Sequence, residues 1–303
     1  MESIRVGLDW TPNTNHTGFF VAKEKGYYQE VGIEVDIQHP GQDGYAMTPA
    51  KKLEKQEVDF AVAPSETVIS YNTKENPVSV KAVAAILKTD ASAIVTLRES
   101  GIERPSQLDG KVYGSYQARY EDKIVEKMVR NDGGKGDLKI EYPDKLGIWN
   151  VLLNQKCDAT WIFVPWEGIE AQGKNIQMNY FRMEDFGIPY GYSPVIIARE
   201  SDIQDRNHEF RQFMHATRKG FQFAAKEVGE AAQILRKYVT PHDLKNIDLA
   251  LSQEVINNHM EHPEEWGEMK GAKWSAFISW LKRFNLVDPH IDSEQLYTNE
   301  LLV

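Results

Sequence analysis

A polar loop near the start of the chain carries side chains well suited to binding a small molecule. It runs from Trp10 through Asn13 to His16, between an apolar run at residues 4–8 and an amphipathic segment that begins at Gly18. We expect a strand to end and a helix to begin around this loop, which leaves backbone N–H groups free for a ligand. Ligands bind beside such strand ends in open α/β sheets, so the loop predicts the floor of a binding cleft.

Aromatic and polar side chains recur at or just after the ends of other predicted strands. Aromatic faces stack on a flat ring, a carboxylate accepts from an amine, and an amide both donates and accepts. This combination favours a flat, nitrogen-rich heterocycle as the ligand. Asn13 and Glu167 are the preferred residues for polar recognition, and Glu66 is a second choice because it also suits the first turn of a helix. The predicted ligand-binding residues are Trp10, Asn13, His16, Tyr45, Ser65, Glu66, Tyr116, Trp161, Trp166, Glu167 and Tyr190.

Motifs of common enzyme and metal sites are missing from the sequence. It contains no Gly-x-Ser-x-Gly elbow, no His-Glu-x-x-His pair and no Gly-x-Gly-x-x-Gly turn after a strand. His16 as a catalytic base would need a partner that the sequence does not identify, whereas as a hydrogen-bond donor or helix-entry residue it needs none. His259 and His262 are weak metal-ligand candidates, and the single cysteine, Cys157, is expected to be structural. We therefore expect no catalytic residue, no metal and no cofactor.

Composition argues against several classes of partner. The chain has 303 residues, enough for two domains, with a net charge of -10 and a pI near 5.4. Nucleic acids and anionic membranes need a basic face, so neither is expected as the main partner. No run approaches the roughly 18 apolar residues of a membrane helix. No signal peptide precedes the first strand, which fits a cytosolic protein or a secreted one whose leader was removed.

Alternating strands and helices predict an α/β fold. Strands are expected at 4–8, 33–37, 58–63, 78–87, 93–97, 111–113, 138–142, 159–163 and 195–198, and helices at 18–28, 45–55, from Ser65 as N-cap, up to Asn131, at 148–154 and from Asn207 onward. We predict two lobes, residues 1–90 with 194–303 and residues 91–193, each a mixed, mostly parallel sheet flanked by helices. Two crossing strands, near 88–91 and 190–194, would form a hinge that closes on a ligand.

The opening segment resembles a known family. Leu8-Asp9-Trp10-Thr11-Pro12, then His16, then Phe20-Val21-Ala22-Lys23-Glu24-Lys25-Gly26-Tyr27-Tyr28 are similar to the start of the thiamin-pyrimidine proteins, a branch of the substrate-binding proteins of ABC importers. Residues 58–63 look like the family's third strand, and Tyr297-Thr298-Asn299-Glu300 is similar to its C-terminal signature. The resemblance covers nearly the whole chain and implies a two-lobed, type II periplasmic-binding-protein fold.

This family has a carrier arm, which binds the thiamin-derived pyrimidine formylaminopyrimidine, and an enzyme arm, which makes the pyrimidine from its own histidine and pyridoxal phosphate. The enzyme arm has a lysine and a sacrificial histidine just after the third strand, where this chain has Ala63 and Thr67. It also has a cysteine-rich run near the second crossing, where this chain has no cysteine. Without the lysine amine no aldimine can form, so these departures favour the carrier.

The resemblance implies an extracytoplasmic protein, a cell-surface lipoprotein or a periplasmic one, that acts as a monomer in thiamin salvage. Its partners would be a small pyrimidine ligand and the permease and ATPase subunits of an ABC transporter. One alternative is an enzyme that acts on a related pyrimidine. Another is a carrier of a different small molecule, such as an alkanesulfonate or aromatic acid. An anion carrier should place basic residues in the cleft, and Arg119 keeps that alternative open.

Overall fold

The computed structural model of the chain describes residues 2–143 and 148–302 and divides into two compact units. The first unit comprises Met1–Asp90, Gly191–Ile278 and Val287–Val303, and the second comprises Ala91–Tyr190 and Ser279–Leu286. The predicted lobes, 1–90 with 194–303 and 91–193, differ from these units at 191–193 and 279–286. That the two predicted lobes move relative to each other about a hinge stays a prediction.

Strands in the described ranges form two five-stranded sheets, one in each unit. The strands are β1 Glu2–Gly7, β2 Ile33–Gln38, β3 Phe60–Ala63, β4 Val80–Ala85, β5 Ser92–Leu97, β6 Val112–Gly114, β7 Lys139–Glu141, β8 Ala159–Phe163, β9 Met178–Phe181 and β10 Val195–Arg199. The sheet of the first unit has the order β2-β1-β3-β10-β4, and that of the second has the order β7-β6-β8-β5-β9.

Each sheet is mixed. In the first, β1 pairs in parallel with β2 and β3, and β10 runs antiparallel to β3 and β4. In the second, β6 pairs in parallel with β7 and β8, and β5 runs antiparallel to β8 and β9. The strands β3 and β5 are buried along their whole length, as expected for strands with both faces covered. The predicted α/β class with mixed sheets is confirmed.

Helices cover the sheets of both units. They are α1 Thr17–Glu24, α2 Tyr27–Glu30, α3 Pro49–Glu54, α4 Ser65–Thr73, α5 Glu121–Asn131, α6 Ile148–Leu153, α7 Ile169–Gly173, α8 Glu200–Asp205, α9 Asn207–Lys226, α10 Val228–Leu235, α11 Pro241–Asn246, α12 Leu249–Asn257 and α13 Gly271–Arg283. In the parts of the chain that the structure describes, none of these helices combines the length and apolarity needed to cross a bilayer.

Helix α1, which follows the polar loop, is seated directly on α9. A Cβ atom added to Gly220 would lie 2.0 Å from the Gly18 carbonyl oxygen, so only glycine allows the two backbones to approach this closely. The Phe19 and Phe221 rings meet edge to face at 5.3 Å. In the following helix, α2, the Tyr28 hydroxyl hydrogen-bonds to that of Thr217 in α9 at 3.0 Å. The contact between α1 and α9 fixes the helix that anchors one end of the loop.

An ion cluster stands at the amino end of β3, the opposite edge from the polar loop. The Asp59 carboxylate is only 2% exposed and accepts from the backbone and guanidinium of Arg5 and from Arg206. Burial by itself raises the pKa of Asp59, but the hydrogen bonds from Arg5 and the charges of both arginines outweigh it. The pKa therefore ends below its ordinary value, and the carboxylate stays charged.

Several predicted helix boundaries are wrong. The helix expected at 18–28 is instead a 3-10 turn, Thr14–His16, followed by α1 and α2, with Gly26 at φ 77° between the two α-helices. The helix expected from Tyr45 begins only at Pro49, because Tyr45 has φ 63° and the Thr48 hydroxyl caps the helix by accepting from Lys51 N–H.

The predicted N-cap role of Ser65 is also wrong. Pro64 is the extended N-cap residue of α4, and Ser65 is already its first helical residue. The strand β9 was not predicted, since its residues Met178–Phe181 mix polar and apolar side chains at the edge of a sheet. The predicted helix at 148–154 is present as α6, and the residues before it, 144–147, lie outside the described part of the chain.

Candidate functional site

The loop after β1 is held together by hydrogen bonds centred on His16. The backbone N–H of Asn13 donates to His16 Nδ1 at 3.2 Å, and His16 Nε2 lies 2.7 Å from Asp9 Oδ1. The imidazole has no exposed surface, whereas the Asp9 side chain is 28% exposed. His16 ends the 3-10 turn and precedes α1, so it is both a helix-entry residue and a hydrogen-bonding partner of the strand end.

These contacts determine the tautomer of His16. Because a backbone N–H always donates, Nδ1 must be the unprotonated nitrogen of a neutral ring, and Nε2 carries the hydrogen that is donated to Asp9. A general base in an Asp–His pair would need its free nitrogen facing a substrate. Here that nitrogen is occupied by backbone and the ring is buried. His16 therefore organises the loop, and a direct contact to a ligand stays a prediction.

Asn13 uses both ends of its side-chain amide inside the same loop. Its Oδ1 accepts from the backbone N–H of Asn15 at 2.9 Å, and its Nδ2 donates to the Thr11 carbonyl at 3.2 Å. The side chain is therefore a cap for the 3-10 turn, a role that Asn performs often. Its predicted part in polar recognition stays a prediction, and the amide already has these two partners.

Trp10 and Tyr45 meet at the carboxyl edge of the first sheet. Their rings lie 5.3 Å apart at 60°, an edge-to-face contact, and both side chains are partly exposed. Tyr45 belongs to the segment between β2 and α3, whose backbone takes a positive φ at this residue. Burial raises the pKa of the Tyr45 hydroxyl, so it stays protonated and can donate.

Ser65 and Glu66 open helix α4, directly after β3. Both side chains are buried, and the Ser65 backbone N–H donates to the Tyr192 carbonyl at 2.9 Å. The backbone at Gly191 comes so close that an added Cβ would lie 2.3 Å from Ser65 Oγ. Because β1 and β3 are parallel neighbours, their carboxyl ends and these residues lie at one edge of the sheet.

In the second unit, Glu121 holds the segment that carries Tyr116. The buried carboxylate accepts from the Tyr113 hydroxyl at 2.8 Å and from the backbone N–H groups of Tyr116 and Ala118 at 3.0 and 3.1 Å. Burial raises the pKa of Glu121, although these donors oppose the shift. Glu121 was not among the predicted site residues, because an acidic residue at the start of a helix is common without any further role.

The remaining predicted residues of this unit lie in β8 or after it. The Trp161 and Tyr190 rings lie 5.4 Å apart at 61°. Glu167 Oε2 accepts from the Phe163 backbone N–H at 3.0 Å within the π-helical turn Val164–Gly168, and Trp166 in that turn is 4% exposed. Burial, followed by the charge of Glu167, raises the pKa of the Tyr116 hydroxyl.

The structure thus groups the predicted residues by unit. Trp10, Asn13, His16, Tyr45, Ser65 and Glu66 lie at the carboxyl edge of the first sheet, and Tyr116, Trp161, Trp166, Glu167 and Tyr190 follow or lie in β6, β8 and the segment after β9. Among residues 2–143 and 148–302, no three His, Cys, Asp or Glu side chains are placed to hold a metal ion. Cys157 is buried, and burial raises the pKa of its thiol, so it stays protonated and unreactive.

Comparison with known proteins identifies a family that the chain matches and two proteins to which it is similar. The sequence model of the family described as "NMT1/THI5 like" matches residues 13–231. The formylaminopyrimidine-binding protein of Halalkalibacterium halodurans is 25% identical over 308 residues, which cover 99% of this chain and 90% of that protein. The 4-amino-5-hydroxymethyl-2-methylpyrimidine phosphate synthase of Legionella pneumophila is 22% identical, covering 99% of this chain and 92% of that protein.

Solved structures share the fold at lower identity. The alkanesulfonate-binding protein SsuA of Xanthomonas axonopodis pv. citri, bound to MOPS, matches with a TM-score of 0.72 and 11% identity, covering 98% of each chain. At this identity the likeness concerns the fold alone. It confirms the predicted periplasmic-binding-protein class, in which two mixed sheets are flanked by helices.

Proposed function

Because this chain belongs to the NMT1/THI5-like family, we propose that it is an extracytoplasmic substrate-binding protein that captures formylaminopyrimidine for an ABC importer in thiamin salvage. The pyrimidine ring would stack on aromatic faces supplied by Trp10 and Tyr45 of the first unit. Binding would leave every covalent bond of the ligand intact.

The observation that carries this proposal is the Trp10–Tyr45 pair at the carboxyl edge of the first sheet, beside a buried, neutral His16. Stacking surfaces at strand ends suit a flat ring, and both nitrogens of the His16 imidazole are occupied by hydrogen bonds within the loop. The positions at which the enzyme arm is expected to have a lysine and a histidine are Ala63 and Thr67. Alanine and threonine supply neither an amine nor an imidazole.

The partners and location follow from the same proposal. A binding protein of an importer delivers its ligand to permease and ATPase subunits, so we infer that these subunits are its partners. We infer a monomer, located in a periplasm or held at the cell surface as a lipoprotein. A pulldown of the purified protein with the permease, with and without formylaminopyrimidine, tests the partnership. Recovery of no permease subunit in either condition would contradict it.

Titration calorimetry tests the ligand. Formylaminopyrimidine should bind, hydroxymethylpyrimidine should bind more weakly, and taurine should not bind. Trp10→Ala should weaken binding of formylaminopyrimidine about 10- to 100-fold, since a base stacked on an aromatic side chain contributes about 1–3 kcal/mol. Tyr180→Ala removes an aromatic ring that is 41% exposed and not among the proposed contacts, so it should leave binding unchanged. Tight binding of taurine alone would overturn the proposal.

An enzyme of pyrimidine synthesis is the second candidate, favoured by the 22% identity to the Legionella pneumophila synthase over 99% of this chain. Incubation of the protein with pyridoxal phosphate, followed by mass spectrometry, distinguishes the two functions. A synthase would release a pyrimidine and lose mass from its own histidine, whereas a carrier would do neither. We expect an unchanged protein mass and no pyrimidine.

A further inference from the structure

Asp9 has the position, exposure and orientation that a ligand-binding carboxylate needs. It lies two residues after the end of β1, at the carboxyl edge of the first sheet and next to Trp10, and its side chain is 28% exposed. The hydrogen bond from His16 Nε2 occupies Oδ1 at 2.7 Å. No donor in the described part of the chain reaches the other oxygen, Oδ2. One carboxylate oxygen is thus fixed by the protein, and the second is left for an outside donor.

The charge of Asp9 also lacks a cationic partner in the part of the chain that the structure describes. Its partner His16 is neutral, because His16 Nδ1 accepts from the Asn13 backbone N–H. Within residues 2–143 and 148–302, no lysine or arginine forms an ion pair with Asp9, whereas Asp43 pairs with a lysine and Asp59 with two arginines. Because its only hydrogen bond among the described residues comes from a neutral ring, the charge of Asp9 is suited to receive a polar N–H group.

The orientation of Asp9 depends on a rigid neighbour. The His16 ring has no exposed surface and is held at both nitrogens, so it cannot turn without breaking one of its two hydrogen bonds. The same ring links the strand end to the entry of α1. The carboxylate is therefore presented in one orientation before any ligand arrives, which avoids an ordering cost on binding.

We propose that Asp9 accepts a hydrogen bond from the amino-substituted edge of an aminopyrimidine, and that His16 is the positioning residue that holds the carboxylate for it. This inference rests on the proposed pyrimidine-binding function and names the group that recognises the amine. The ring would lie against Trp10, and the charge of Asp9 would favour an amino group or a protonated ring nitrogen over a carbonyl oxygen.

Calorimetry with two ligands tests the role of Asp9. The probes are formylaminopyrimidine and an analogue in which hydrogen replaces the 4-amino group. The unaltered protein should bind the analogue about 10- to 100-fold more weakly, the range expected for a charge-assisted hydrogen bond. Asp9→Asn should bind formylaminopyrimidine more weakly by a similar factor and should hardly distinguish the two ligands. Glu34→Gln, the same change at an exposed site on β2, should behave as the unaltered protein.

The ratio of the affinities for formylaminopyrimidine and for the desamino analogue also tests the positioning role of His16. His16→Phe should reduce this ratio, because the carboxylate loses its fixed donor, and a purely structural defect would weaken both ligands equally. If Asp9→Asn retains tight binding and the full ratio, this inference is wrong and the proposed function survives. If the unaltered protein binds neither pyrimidine, both fail.

A second measurement needs no variant. The ¹³C carboxyl resonance of Asp9 in the unaltered protein should shift when formylaminopyrimidine is added, and should shift little with the desamino analogue. Equal shifts with both ligands, or none with either despite binding, would contradict the inference. This readout decides the question even if Asp9→Asn does not fold.

Discussion

Replacing Asp59 with asparagine should destabilise the first unit without weakening ligand binding. The carboxylate is 2% exposed and accepts four hydrogen bonds, three from Arg5 and one from Arg206, at 2.8 to 3.1 Å. An asparagine at this position keeps one acceptor oxygen and presents an NH2 group to donors. At least two hydrogen bonds and the whole countercharge of two guanidinium groups would be lost.

The expected loss can be bounded from these contacts. Removing one partner of a buried ion pair costs about 3–5 kcal/mol because the other charge is left without compensation. The two arginine side chains are 39% and 30% exposed, so water can solvate them after the change and the lower end applies. A loss of about 3 kcal/mol would lower the urea midpoint by about 1 M or more, for a slope of up to about 3 kcal/mol per M.

The pH dependence of the free energy of unfolding provides an independent test. The pKa of Asp59 is lowered in the folded chain, so its contribution is fully present above the unfolded value of about 3.9 and is lost as pH falls through the folded pKa. The difference in unfolding free energy between the unaltered protein and Asp59→Asn should therefore shrink between pH 7 and pH 3. Glu34→Gln, an exposed carboxylate-to-amide change on β2, is the control. A midpoint equal to that of Glu34→Gln, or a difference that does not fall with pH, would refute this reasoning.

Two further predictions concern loop order and helix packing. Glu121→Gln should increase the hydrogen-exchange rates of the Tyr116 and Ala118 amides, because a neutral acceptor holds these N–H groups less strongly. The free energy of unfolding should fall by about 1–3 kcal/mol. Unchanged exchange rates would contradict the anchoring role of Glu121. Gly220→Ala should lower the free energy of unfolding by about 3 kcal/mol or more, since its Cβ would lie 2.0 Å from a backbone oxygen. Gly229→Ala in α10, where an added Cβ has no atom within 4 Å, should raise it by about 0.5–1 kcal/mol. Thermal denaturation compares the two variants, and equal effects would contradict the close contact between α1 and α9.

The fold class was predictable because strands such as β3 and β5 are buried along their whole length and mainly apolar. The strands β3 and β5 expose none of their residues, and their mainly apolar sequences identify them without knowledge of the neighbouring strands. The edge strand β9 lacks this property and was missed. The start of α3 was misplaced because apolar spacing alone does not detect that Tyr45 adopts a positive φ or that Thr48 caps the helix.

The sequence predicted that Trp10 and Asn13 follow β1, but not the contacts within their loop, and Trp161 lies in the middle of β8 and not at its end. Strand ends place Trp10 and Asn13 at one edge of the sheet, and the structure agrees. The amide of Asn13 is used by its own loop, however, and Asp9 gains its importance only from the donor on His16, seven residues away. Such pairings depend on how a loop folds back on itself, which residue spacing in an irregular segment does not determine.

The first unit keeps stability and recognition at opposite ends of the same strands. At the amino end of β3, a buried carboxylate is neutralised by two arginines, so it contributes to folding and has no charge to offer a ligand. At the carboxyl end of β1, the one hydrogen-bonding partner of the Asp9 carboxylate within residues 2–143 and 148–302 is a neutral imidazole. A carboxylate paired with cations inside the protein stabilises the fold, whereas a carboxylate without such a cation can bind a donor of the ligand. Substitutions at Asp59 and at Asp9 should therefore separate, the first changing the unfolding free energy and the second the ligand affinity.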